Sequence, residues 1–348
     1  MNSRSGSRQR WIARTIALLT LMPLLTLSCK HSAIEPDTNA PFVTPPGARL
    51  TQGGDASHIG WFAYGTKIAF QSEDLIGRTG NTGIIKSVDV FTRQIKILDG
   101  TARENRNFLV AGDSVFCDQG TALGEQIFLF PWNAENISPK PIGRGQLVAV
   151  SPDHRLVATL NVTGDTLDLV SLNDNSVRQF RLQGTDYPVV FSPDSRQILC
   201  TNGRLLNIDG TWTVGPYPGN LYVLAWSWTQ NGLFALSLGR REAGLDVYVL
   251  SNIYTGASAV IWRQSIDDSF MFDFEWSPDG KKIAFIRQSQ PPGSPRIEYL
   301  YACDIQSGSS ALIVTVLVRN VGITSFSFSP DGKQIAYSVE GDIYTSAL

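Results

Sequence analysis

Histidine, cysteine and methionine are almost missing from this chain, with three, four and three residues among 348. The histidines (His31, His58 and His154) are dispersed, so neighbours in sequence assemble no His-rich metal centre. His-Glu-x-x-His, Cys-x-x-Cys and Gly-x-Ser-x-Gly do not occur, which removes the usual signatures of zinc proteases, thiol redox proteins and serine hydrolases. No catalytic residue, metal ligand or cofactor site is read from the sequence. An excess of charge is lacking too. The 29 basic residues are nearly balanced by 31 acidic ones, so no basic field argues for nucleic acid. A long hydrophobic run is also absent. The stretch Thr15 to Ser28 is interrupted by Pro23 and falls short of the roughly 20 residues that span a bilayer.

What the chain does have is a repeat. Trp276-Ser-Pro-Asp-Gly-Lys-Lys-Ile-Ala-Phe285 recurs as Phe328-Ser-Pro-Asp-Gly-Lys-Gln-Ile-Ala-Tyr337, Phe191-Ser-Pro-Asp-Ser-Arg-Gln-Ile-Leu-Cys200 and Val150-Ser-Pro-Asp-His-Arg-Leu-Val-Ala-Thr159. Each copy reads as an apolar approach, a tight turn and a buried strand. Proline pre-sets φ, the aspartates Asp153, Asp194, Asp279 and Asp331 bond nearby backbone N–H groups, and Gly280 and Gly332 take the left-handed conformation that closes the turn. Weaker copies start at Trp61, Phe108 and Trp226. The seven anchors, 61, 108, 150, 191, 226, 276 and 328, are spaced about 44 residues apart, the period of a four-stranded β-propeller blade. The expected fold is all-β: a seven-bladed propeller of antiparallel blades, with six blades as the alternative.

The Ser-Pro-Asp-Gly copies resemble the propeller of the TolB family and the related propellers of the prolyl-oligopeptidase group, over about residues 48 to 348. The resemblance implies the fold and says little of function. TolB has an additional N-terminal α/β domain for which this chain has no room, and its propeller has six blades. Seven-bladed propellers similar to oligogalacturonate lyases use a His-rich metal site, which the dispersed histidines do not supply. No hydrolase domain is expected with these repeats.

Residues 1–28 read as a targeting segment, with Arg4, Arg8, Arg10 and Arg14 ahead of the apolar run. Its ending, Leu25-Thr-Leu-Ser-Cys29, resembles a bacterial lipobox, although Thr26 departs from the usual Leu. The resemblance implies cleavage before Cys29 and a lipid on that cysteine. Residues 29–47, rich in proline, read as a disordered tether, and 48–348 as the propeller. Lys30 in place of Asp implies, by the enteric sorting rule, transfer to the outer membrane. The expected location is the cell envelope, on the periplasmic side or at the cell surface. Cys117, Cys200 and Cys303 fall in strands and read as buried apolar thiols.

The last repeat runs out of chain after three strands, so Ala48 to Gln52 is expected to supply its fourth and close the ring. Variable second-to-third connections are expected at Gln71–Gly83, Asp118–Gly124, Ser237–Gly244 and Gln288–Pro295. They carry or adjoin Arg78, Arg240, Arg241, Arg287 and Arg296, a candidate patch for an acidic peptide or glycan. Trp132 and Trp228 are further candidates, both expected to be exposed. Asp267, Asp268, Asp273 and Glu275 form an acidic group leading into Trp276. Together these features imply a membrane-tethered, non-enzymatic module for a protein or peptide ligand. The alternative is a carbohydrate-active or metal-dependent propeller enzyme working in the central channel.

Overall fold

The Ser-Pro-Asp turns form as their chemistry dictates. In each strong copy the serine hydroxyl donates to the aspartate two residues on, at 2.6 or 2.7 Å. The same hydroxyl accepts the N–H that opens the next strand, at 2.9 Å. The fourth turn residue is left-handed in all four, with φ 56 at His154, 60 at Ser195, 69 at Gly280 and 67 at Gly332. The serine hydroxyl, followed by the Arg196 or Lys333 N–H, holds Asp194 and Asp331 below the usual carboxylate range. These aspartates are structural, as the repeat suggests.

The computed structural model describes residues 47–348 except 74–81, 122–123, 132–138, 184–186, 202, 215–221, 230–231, 239–244, 253–254, 266–268, 291–292, 308 and 319–321. Its strands are laid out blade by blade. Ahead of them all comes β1, Ala48–Arg49. Blade 1 holds β2 Ala56–Phe62, β3 Lys67–Glu73, β4 Thr82–Asp89 and the first half of β5 Ile95–Ala111. The second half of β5 opens blade 2, followed by β6 Ser114–Thr121, β7 Gly124–Pro131 and β8 Lys140–Arg144. Blade 3 is β9 Gln146–Val150, β10 Leu156–Leu160, β11 Thr166–Ser171 and β12 Val177–Arg181. Blade 4 is β13 Pro188–Phe191, β14 Gln197–Cys200, β15 Arg204–Asn207 and β16 Trp212–Val214. Blade 5 is β17 Tyr222–Thr229, β18 Gly232–Leu238, β19 Leu245–Asn252 and β20 Ser258–Ser265. Blade 6 is β21 Ser269–Trp276, β22 Lys282–Ser289, β23 Ile297–Asp304 and β24 Ser310–Leu317. Blade 7 is β25 Ile323–Phe328, β26 Gln334–Val339 and β27 Asp342–Ala347, with β1 as its fourth strand.

The seven first strands touch in a closed cycle, β2 to β5, β9, β13, β17, β21, β25 and back to β2. The result is a seven-bladed β-propeller. Both faces of each blade are covered by neighbours, so the second strands read as continuous apolar runs; Ile283, Ala284, Phe285 and Ile286 are all buried. The core is divided among the seams, one apolar cluster in each. Cys117, Cys200 and Cys303 lie inside these layers and form no disulfide.

The ring closes as expected. Ala48 pairs with Thr345 and Arg49 with Tyr344. Leu50 N–H donates to the Ile343 carbonyl at 2.7 Å, and Ala56 N–H to the Gly341 carbonyl at 2.8 Å. Asp342 receives the Arg49 guanidinium and the Gly53 N–H at 3.0 Å. Gly341 sits at φ 78, and a Cβ there would stand 2.2 Å from the Gly54 carbonyl carbon. Gly341→Ala is therefore expected to cost about 3 kcal/mol, read by urea denaturation, from left-handed strain and backbone overlap together.

Two sequence expectations are corrected. The connection at Asp118–Gly124 is not long: β6 and β7 pair out to Thr121 and Gly124, leaving a two-residue hairpin. Trp228 is not on a turn. It lies inside β17, paired with Leu233, and packs half-buried on the apolar cluster between blades 4 and 5.

Candidate functional site

The free edge of every first strand faces the propeller axis, and most of these strands carry a bulge there. The pairing skips His58 in blade 1, Val148 in blade 3, Val189 in blade 4, Leu224 in blade 5, Asp273 in blade 6 and Thr324 in blade 7. In blade 2 the register shifts between Asn105 and Phe108. A bulge breaks the alternation of side chains along the strand, although Val148 and Leu224 still pack against the apolar clusters of their seams. The axial ring is lopsided. Val148, Val189 and Leu224 make one arc apolar and half-buried, while Asp273, Thr324 and His58 make the opposite arc polar and exposed.

His58 and Asp273 are built alike, with φ 46 and φ 49 in equivalent bulges two blades apart, on either side of blade 7. Such values are strained for side-chain-bearing residues and draw notice to both. The His58 Nδ1 lies 3.2 Å from the Ser57 hydroxyl. Asp273 is solvent-accessible, yet surrounding protein raises its pKa by desolvation, against the attraction of His58.

Two further carboxylates back this arc. Glu298 on β23 is 3 % exposed, accepts the Ile323 N–H at 2.7 Å and pairs with Arg296 at 3.3 Å. Burial raises its pKa, and Asp273 and Glu340 add like charge. Glu275 reaches from β21 toward blade 7, where it accepts the Ser327 hydroxyl and the Phe328 N–H, each at 3.1 Å. Burial pushes its pKa up to about 7 against those two bonds. Trp61 continues the link by donating its indole N–H to the Ser327 carbonyl at 3.0 Å. Blades 6, 7 and 1 are thus tied by polar bonds near the axis. Among the described residues no group of three or more His, Cys, Asp or Glu could hold a metal ion.

The arginine patch is not assembled by the residues that can be placed. Arg287 stands over the Tyr299 ring at 5.5 Å on the blade 5 side of blade 6, and Arg296 pairs with Glu298 on the blade 7 side. Strand alternation puts the two on opposite faces. Cys29, Arg78, Arg240, Arg241, Trp132, Asp267 and Asp268 lie outside the described residues. His58 and the bulge at Asp273 were the residues missed as a pair. The only sequence signal was a histidine three residues before one anchor and an aspartate three before another.

No protein-family model matches the sequence. Solved structures do match. An oligogalacturonate lyase from Vibrio parahaemolyticus is similar at 13 % identity and TM-score 0.60, over 86 % of this chain and 92 % of that one. The β-propeller domain of Cps50 (Swd1) from Myceliophteria thermophila is similar at 12 % identity and TM-score 0.57, over 86 % and 98 %. A prolyl endopeptidase matches at 12 % identity and TM-score 0.56, over 83 % of this chain and 48 % of that one. The likeness is one of fold. It spans the propeller domain of Cps50 (Swd1) and propellers that belong to enzymes, so the chemistry has to be argued from the residues here.

Proposed function

We propose that this chain is a lipid-anchored, non-enzymatic binding module of the bacterial cell envelope, holding a protein or peptide ligand over the propeller axis. The observation that carries the reading is the lopsided axial ring. An extended peptide laid across it meets Val148, Val189 and Leu224 on one side and the Asp273–Thr324–His58 arc on the other. The arc suits a cationic group, a lysine or arginine side chain or an amino terminus, rather than the acidic ligand that the arginines suggested. A second reading, a carbohydrate-active enzyme working in the channel, draws support from Asp273 and Glu275, two carboxyls near the axis with raised pKa.

Crosslinking from the native envelope tests this. Wild type should capture a discrete protein, Asp273→Asn should lose most of it, and Arg287→Gln with Arg296→Gln should keep it. Equal capture by wild type and Asp273→Asn removes the axial arc from the reading. Glycan fragments retained in place of a protein move the assignment to the carbohydrate reading.

A further inference from the structure

The repeat supplies its own controls, and blade 1 departs from them at two adjacent turns. In the first-to-second turn, the tip that is Asp153, Asp194, Asp279 or Asp331 in the strong copies is Tyr64 in blade 1. In the third-to-fourth turn, the tip that is Asn173 in blade 3 and Gln306 in blade 6 is Phe91. Neither aromatic packs on the protein: Tyr64 is 85 % exposed and Phe91 78 %. Both are nonetheless held in place. Tyr64 sits at φ 56 beside Gly65, where an added Cβ would stand 3.3 Å from the Pro330 ring of blade 7. The Asp89 carboxylate accepts the N–H of Phe91 at 3.0 Å and of Thr92 at 2.8 Å, which fixes the turn that presents the ring. Ile95 and Ile97, also exposed, extend the apolar surface along the outer strand of the same blade.

The position of the N-terminal segment says what covers this surface. β1 runs antiparallel to β27, so Gly47 enters opposite Ser346, at the end of β27 where the third-to-fourth turn of blade 7 would be. First-to-second and third-to-fourth turns share one face. The segment that carries Cys29 therefore joins the propeller on the face of Tyr64 and Phe91, one blade away from them.

We infer that this turn face docks on a lipid surface, with Tyr64 and Phe91 of blade 1 entering the interfacial layer of the bilayer that the N-terminal lipid already holds close. The inference rests on the anchored reading above. Aromatic side chains favour that layer, and an anchored domain needs little further free energy to settle on one face. The lysines of this face, Lys281 and Lys333, stand near Asp279 and Asp331 at 3.8 and 4.0 Å, and the same set of turns carries Arg93, Arg155 and Arg196. Docked this way, the opposite face of the propeller points away from the membrane.

The test uses the full chain extracted from membranes and returned to phospholipid vesicles. Tyr64→Cys, Phe91→Cys, Asn173→Cys and Gln306→Cys are each labelled with an environment-sensitive fluorophore; Cys117, Cys200 and Cys303 are at most 1 % exposed and stay unlabelled. Blue-shifted emission at positions 64 and 91, quenched by spin-labelled lipid, with water-like emission at 173 and 306, is the expected result. Water-like emission at all four sites overturns the docking. So does a blue shift that lipid quenchers leave untouched, which would place a protein on the surface instead. Mass spectrometry of the N-terminal peptide separates the two levels. Cys29 without lipid removes the anchor, whereas Cys29 with lipid and unquenched labels removes only the docking.

Discussion

A chain ending at Tyr344 should melt roughly 8 °C below the full-length protein, because the strand that closes the ring loses its end and leaves unpaired edges. The deletion removes the partner of Ala48 and the pairs that Thr345, Ser346 and Ala347 make with Ala336, Ile335 and Gln334. It also removes the bond from Leu348 N–H to the Lys333 carbonyl at 2.9 Å. About five backbone bonds at about 1 kcal/mol each make a loss on the order of 5 kcal/mol. Spread over the unfolding entropy of some 300 residues, that gives the stated shift. The effect should be global. β1 and β27 join the two ends of the chain in one sheet, and loosening that pairing opens unpaired edges on blade 7 and weakens the cover of Leu50 and Ile343 in the seam with blade 1. Thermal unfolding followed by circular dichroism reads the shift. A truncated chain that melts within about one degree of the parent would sink the closure argument.

The same physics explains what could be read from the sequence. The strong turns were legible because serine, proline, aspartate and a left-handed fourth residue act within five positions of one another. The missing fourth strand of blade 7 was legible because unpaired edges are costly. Features set by pairing between strands were not. β5 runs through two blades without a turn residue to mark the change, so it looks like two strands. Trp228 was misplaced by assuming the Ser-Pro-Asp turn where β17 continues to Thr229. Arg287 and Arg296 looked alike as loop cations, but alternation along blade 6 sends them into different seams. The axial arc was hidden for the same reason, since a bulge is a property of the register with the neighbouring strand and not of His58 or Asp273 alone.

Glu275→Gln should stabilise the protein at about pH 8 by on the order of 3 kcal/mol and leave it unchanged near pH 4. At the residue before the anchor the other blades carry Gly60, Asn107, Ala149, Val190, Ala225 and Ser327. Only blade 6 places a carboxyl there, in a seam that burial makes hostile to charge. With its folded pKa raised from 4.5 to about 7, the folded protein holds a proton that the unfolded chain has released. Stability from this group is therefore complete below the unfolded pKa and is lost as pH rises through the folded one, at about 1.4 kcal/mol per unit. Glutamine keeps an oxygen for the Ser327 hydroxyl and the Phe328 N–H but has no charge to bury, so its contribution does not change with pH. Urea denaturation at both ends of the window measures the difference. A gain of equal size at both pH values would mean that packing, and not ionisation, sets the energy of this seam. A loss at both would mean that the carboxylate bonds to blade 7 outweigh the cost of burying it, and Glu275 would then be a clasp between blades rather than a tolerated charge.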